Sequence, residues 1–131
     1  MGPDDRPLRL LIVDDHAMMR QGLSMLLEDE PGIDIVGQAA DGLEALELVE
    51  RLSPDIVLMD YSMPRMDGLE ATRRIHRDWP RIRIIGLSMY HEADRGQAMM
   101  NAGAAAYVTK TAGREALLGA IHDGRGRDAA P

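Results

Sequence analysis

Five short apolar runs, each followed by a longer segment of helical periodicity, constrain this chain more tightly than any other feature of its sequence. The runs are Leu8 to Val13, Ile33 to Ala39, Asp55 to Met59, Ile82 to Leu87 and Ala105 to Thr109. Most are near-continuous β-branched or aliphatic stretches rather than alternations of apolar and polar residues. That is the pattern of strands buried on both faces of a parallel sheet, which helices must then cover. Met19, Leu23, Leu26 and Leu27 fall on one face of a first helix, Ala45, Leu46, Val49 and Leu52 of a second, and Leu69, Thr72 and Ile75 of a third. Leu117, Leu118 and Ile121 do the same for the last. The fourth, from about Glu92 to Ala102, offers mainly alanines, Gly96 and the Met99-Met100 pair, and is the weakest of the five. The expectation is an α/β domain of (βα)5 type, a doubly wound five-stranded parallel sheet.

At 131 residues and 45% hydrophobic, the chain supplies one core and is too short for two ordinary domains. Pro31-Gly32, Asp41-Gly42, Ser53-Pro54, Asp67-Gly68 and Asp123-Gly124 punctuate the elements. Residues 1–7 and 123–131, rich in Gly, Pro, Asp and Arg, read as an N-terminal linker and a C-terminal linker or tail around a domain at 8–122. The tail is too short to hold another folded module. The uncharged stretch from Gly96 to Thr109 is shorter than the ~18 apolar residues of a membrane span. The N-terminus lacks the basic region, apolar stretch and cleavage site of a secretory signal. A cytoplasmic protein without a membrane partner is expected. The absence of cysteine excludes disulfides, thiolate zinc sites and cysteine nucleophiles. A formal charge of −7 argues against holding nucleic acid through its phosphates and favours attraction of cations. Among the 15 basic residues only Lys110 is a lysine.

In an open parallel sheet the residues just past the carboxyl ends of the strands meet along one edge, and sites form there. Those positions hold Asp14-Asp15 after the first strand, Asp60 after the third, Ser88 after the fourth and Lys110 after the fifth. Singly, each has an ordinary structural explanation: Asp15 as a helix N-cap, Asp60 as the opening of the turn through Met63-Pro64, Ser88 as a strand-end hydroxyl, Lys110 as a solvated charge. Together they suggest more. If the first and third strands are neighbours about 4.8 Å apart, three carboxylates crowd together and repel unless something neutralises them. A hard divalent cation held by oxygens answers that need, and magnesium, which keeps several waters, suits an open site with few protein ligands. A lysine and a hydroxyl aimed at the same place would offset charge on a transferring phosphoryl group, with one aspartate as nucleophile.

The segments Leu-Ile-Val-Asp-Asp-His at 11–16, Pro-Asp-Ile-Val-Leu-Met-Asp-Tyr-Ser-Met-Pro-Arg-Met-Asp-Gly-Leu-Glu at 54–70, Ser88, and Ala-Tyr-Val-Thr-Lys at 106–110 resemble the receiver domain of bacterial two-component response regulators. The resemblance covers about residues 8 to 122. It implies a flavodoxin-like receiver fold with strand order 2-1-3-4-5, and Asp60 as phosphoacceptor for a histidine kinase or phosphotransfer protein. It implies Mg2+ held by Asp15 directly, Asp14 through water, Asp60 and the backbone carbonyl of Ser62. Lys110 would pair with the phosphoryl oxygens and Ser88 would move to hydrogen-bond one of them. Tyr107 would be the switch aromatic whose ring turns inward when Ser88 moves. Such a domain is not an enzyme beyond its own phosphorylation and dephosphorylation. It does not bind nucleic acid itself, and homodimer formation on phosphorylation is left open.

Many receivers follow this lysine with proline in a cis peptide bond. Here Thr111 follows, and a cis bond without proline costs ~3 kcal/mol or more, so a trans bond is expected. The Lys-Thr pair, Asp-Asp-His-Ala followed by Arg20-Gln21-Gly22-Leu23, and Ala-Gly-Ala-Ala-Ala-Tyr resemble receivers joined to LuxR-type helix-turn-helix outputs. No such output lies within these 131 residues, which leaves a response-regulator fragment, a stand-alone receiver or the receiver module of a hybrid sensor kinase.

The nearest enzymatic alternative is a haloacid-dehalogenase-type phosphatase with Asp60 as nucleophile. Those enzymes need a second aspartate two residues later as general acid and base, and position 62 is serine. Neither G-x-G-x-x-G nor a P-loop occurs, and His91-Glu92 lacks the second histidine of a zinc protease motif. The four histidines read as surface or packing residues.

Overall fold

Leu8–Val13 (β1), Ile33–Ala39 (β2), Ile56–Asp60 (β3), Arg83–Ser88 (β4) and Ala106–Thr109 (β5) pair in parallel as one sheet, in the order β2-β1-β3-β4-β5. Ala17–Leu27 (α1), Gly42–Leu52 (α2), Gly68–Asp78 (α3), Ala93–Ala102 (α4) and Arg114–Ala129 (α5) alternate with the strands. The structure is a computed structural model that describes residues 6–88 and 93–129, with the backbone alone at 93 and 124–129. The outermost parts of the two expected linkers and Glu92, the expected start of the fourth helix, lie outside the described residues. Both the (βα)5 architecture and the expected strand order are observed.

The continuous apolar runs are explained by what lies on either side of the sheet. Leu11, Val13, Val57, Met59 and Ile84 join Ala45, Val49, Ala71, Ile75 and Met99 in a core under α2, α3 and α4. Their strand neighbours Leu10, Ile12, Ile56, Leu58, Ile85 and Leu87 join Leu23, Leu27, Leu117 and Ile121 in a second core under α1 and α5. Because successive side chains alternate between faces, a strand covered on both must be apolar at every position. Each fully buried aliphatic side chain is worth about 1.5–3 kcal/mol, so the central strands β1 and β3 are the least dispensable part of the fold. At the carboxyl edge, Asp41 and Asp67 cap α2 and α3, each accepting a hydrogen bond from an amide three residues on, Glu44 and Glu70, at 2.9 Å.

Three departures from the sequence pattern have physical reasons. β3 and β4 each run one residue further than their apolar runs, because Asp60 and Ser88 still occupy ladder positions opposite Leu87 and Thr109. Leu26, expected on the buried stripe of α1, is 38% exposed, since Leu23 and Leu27 already fill the seat against the sheet. α5 continues through Ala129, past the Asp123-Gly124 pair. A glycine inside a helix costs only about 1 kcal/mol relative to alanine, too little to end one by itself. The Lys110–Thr111 bond is trans as expected, with no cis peptide among the described residues. No helix among them is long and apolar enough to cross a membrane.

Candidate functional site

The register of the sheet brings the site together. Val13 lies opposite Met59, so Asp14 and Asp60 emerge side by side where β1 and β3 end. Asp14 is held by its own amide, which donates to the Ala39 carbonyl at 3.0 Å, and its carbonyl accepts from Arg20 Nη1 at 2.6 Å. Lys110 is anchored by its amide, which donates to the Ser88 carbonyl at 2.7 Å. From beyond β5 its side chain crosses above β4 and β3, and Nζ sits 2.6 Å from Asp14 Oδ2 and 3.1 Å from Asp60 Oδ1. Lys110 is therefore no solvated charge: its side chain is 3% exposed, against 0% for that of Asp14 and 7% for that of Asp60.

One ammonium does not balance three carboxylates. Burial and the neighbouring Asp14 charge push the Asp60 carboxyl up to about 6, against the opposing pull of Lys110. Burial works against the charge on Lys110, yet the hydrogen bond to Asp14 and the charges of Asp60 and Asp14 outweigh it and hold its pKa above the ordinary lysine value. Oxygens of Asp14, Asp15 and Asp60 and a ring nitrogen of His16 lie within 4.8 Å of one another. Asp15 does not cap α1, whose N-cap is His16 without a side-chain cap bond. Its Oδ1 is buried, with the His16 ring nitrogen 3.0 Å away. A crowded set of carboxylate oxygens with a single ammonium among them suits a hard divalent cation, so these residues fit the magnesium that the sequence motifs imply.

Ser88 closes β4 beside this group and is buried. Ser62 lies on the β3–α3 loop, which is drawn tight by the Gly68 amide donating to the Tyr61 carbonyl at 2.8 Å. Tyr107, on β5, lies under α4 with its ring between two glycines. A β-carbon at Gly86 would stand 2.7 Å from Cδ1 of the ring, and one at Gly96 2.8 Å from Cδ2. The Tyr107 hydroxyl is buried and makes no hydrogen bond among the described residues.

Two further residues were not legible as site members. His16, expected as a surface or packing residue, is exposed, but its Nδ1 lies 3.1 Å from Asp14 Oδ1 and 3.0 Å from Asp15 Oδ1. Its position directly after Asp14-Asp15 was the available signal. Arg95 of α4 stacks over the Tyr61 ring, 4.9 Å from its centroid, tying that helix to the residue after Asp60. Nothing in the sequence spacing announces that contact.

Fold and site together define a flavodoxin-like α/β domain whose acidic cluster and buried lysine share the carboxyl edge of the sheet. The chain belongs to the response regulator receiver domain family, whose model matches residues 10–122, and it is thus a domain of two-component signalling. Response regulator GacA of Pseudomonas aeruginosa is 43% identical to it over 114 residues, which are 87% of this chain and 53% of that protein. The transcriptional regulatory protein LiaR of Bacillus subtilis is 41% identical over 114 residues, 87% of this chain and 54% of that one. The chain spans about half the length of these curated relatives. Among solved structures, a LuxR-family two-component response regulator from Aurantimonas sp. SI85-9A1 matches with a TM-score of 0.84 at 38% identity, over 89% of this chain and 84% of that one. The signal receiver domain of NarL from Mycobacterium tuberculosis matches with a TM-score of 0.85 at 30% identity, over 92% and 98%. The likeness to LuxR-type receivers is thereby borne out, and the family decides against the phosphatase alternative.

Proposed function

We propose that this domain is a phosphoacceptor switch in which Asp60 takes a phosphoryl group from a histidine kinase or phosphotransfer protein. The observation that carries this reading is the contact of the buried Lys110 ammonium with both Asp14 and Asp60. A cation placed there offsets charge on phosphoryl oxygens bonded to Asp60. An Asp60 oxygen attacks the phosphorus, the phosphorus–nitrogen bond breaks, its electron pair returns to the donor imidazole, and an acyl phosphate forms on Asp60. With a pKa of about 6, Asp60 is ionised at neutral pH but poorly stabilised, a favourable state for a nucleophile. Asp14, Asp15, Asp60 and the Ser62 carbonyl would hold magnesium, which when bound supplies positive charge to the transferring oxygens.

The charge change is read by Ser88 and Tyr107, which bias an equilibrium between arrangements of β4, α4 and β5. The glycine slot around Tyr107 and the buried, unbonded hydroxyl support this role: the ring fits its seat but leaves a polar atom uncompensated. α4 is the moving part. Replacing Asp60 with Asn should abolish magnesium-dependent phosphoryl uptake from acetyl phosphate, read by intact-protein mass. Uptake equal to that of the unaltered chain would overturn the assignment.

A further inference from the structure

The β3–α3 loop carries a strained residue outside the motif chemistry. Arg65 has φ +65, a left-handed conformation unusual for a residue with a side chain. The Met66 amide donates to the Pro64 carbonyl at 2.7 Å, so Arg65 sits at the centre of a three-residue turn of the rare, strained kind. Strain of this sort persists only where the surroundings hold it. Here the Arg65 guanidinium donates twice to Asp41 Oδ2, from Nε at 2.9 Å and Nη2 at 2.6 Å. Asp41 is 6% exposed, and its other oxygen caps α2 through the Glu44 amide. The Glu44 amide and the Arg65 guanidinium hold the Asp41 carboxyl below its usual range, although burial opposes them. Alongside, the Gly42 amide donates to the Met66 carbonyl at 3.0 Å. A β-carbon on Gly42 would stand 2.6 Å from that carbonyl oxygen, so only glycine lets the loop approach.

The guanidinium is thus committed to a carboxylate on a different loop, not to the phosphoryl site. We infer that Arg65 and Asp41 form a clamp that positions the β3–α3 loop, and through it the Ser62 carbonyl, for magnesium binding. Both are positioning residues, and the inference rests on the site reading above. Met63 and Met66 bury the feet of the loop in the core, while the clamp holds its outer turn. Groups that orient a metal ligand without touching the metal commonly change affinity by about tenfold or more when removed.

The test is magnesium titration by isothermal calorimetry on the 131-residue chain, on Arg65→Gly, on Asp41→Asn and on the double variant, with thermal unfolding measured in parallel. Glycine suits φ +65 and relieves the turn, and asparagine still caps α2, so each variant removes the clamp while sparing what else its residue does. Each single variant should bind magnesium about tenfold more weakly, and the double variant no worse than either. Melting temperatures without magnesium should stay within a few degrees of the unaltered chain. Exchange of the Gly42 amide should quicken in Arg65→Gly. Affinity equal to that of the unaltered chain in both single variants would overturn the clamp alone. No magnesium heat in the unaltered chain would overturn the site reading and the clamp with it.

Discussion

Asp60→Asn should make the magnesium-free domain more stable, even though it removes the reactive group. The Asp60 carboxyl lies at about 6 in the folded chain against an ordinary 3.8. At about 1.36 kcal/mol per pH unit, ionising it at neutral pH costs the fold up to ~3 kcal/mol. The sign follows from linkage. Below pH 3.8 both folded and unfolded chains carry Asp60 protonated and no cost exists; as pH rises through about 6 the unfolded chain ionises more readily, and stability is lost. Asparagine keeps the shape and removes the charge, leaving Lys110 paired with Asp14. The variant should therefore gain roughly 1–3 kcal/mol at pH 7, the lower figure allowing for relaxation around the charge, which is about 3–9 °C for a domain of this size. Calorimetric melts of both proteins without magnesium, from pH 4 to 8, would measure it, with the gap closing at the acid end, opening as pH rises toward about 6 and level above that. A variant that melts at or below the unaltered chain at pH 7, or a gap indifferent to pH, would refute the view that an uncompensated carboxylate strains this edge of the sheet.

Lys110→Ala should act in the opposite direction, because it leaves Asp14 and Asp60 buried without their cation. A loss of about 3–5 kcal/mol in urea unfolding at pH 7 is expected, shrinking in acid; an unchanged midpoint would show that the ammonium is not what holds the two carboxylates. Gly96→Ala sets two effects against each other. Alanine favours a helix by about 1 kcal/mol, while a β-carbon 2.8 Å from Tyr107 Cδ2 overpacks the slot at a cost of about 1–3 kcal/mol. A net loss of stability, with altered ring resonances of Tyr107, is expected, and a gain of the full helix preference would show that the ring does not need the gap.

The fold was legible because strands covered on both faces leave an unbroken apolar trace: all of Leu10 to Val13 and Ile56 to Met59 are buried. Boundaries were less legible where polarity and hydrogen bonding disagree, as at Asp60 and Ser88, which belong to the ladder but not to the apolar run. Asp14, Asp60 and Lys110 could be placed on one edge because a parallel sheet puts all strand ends there, yet the reach of Lys110 across two strands is a matter of side-chain length and tertiary register. Arg65 and Asp41 lay beyond the pattern altogether. Their pairing joins separate loops, and a left-handed backbone at arginine leaves no trace in composition or spacing.

The burial of Lys110 has a practical consequence. It is the sole lysine of the chain, so a lysine-specific protease has one peptide bond to attack, Lys110–Thr111, and amine-acylating reagents have one side chain to find. Both are shut out while the amine is tucked beneath the rim of the sheet. Cleavage at that bond under gentle conditions would count the moments at which the latch lies open, giving a clock for opening that needs no added label.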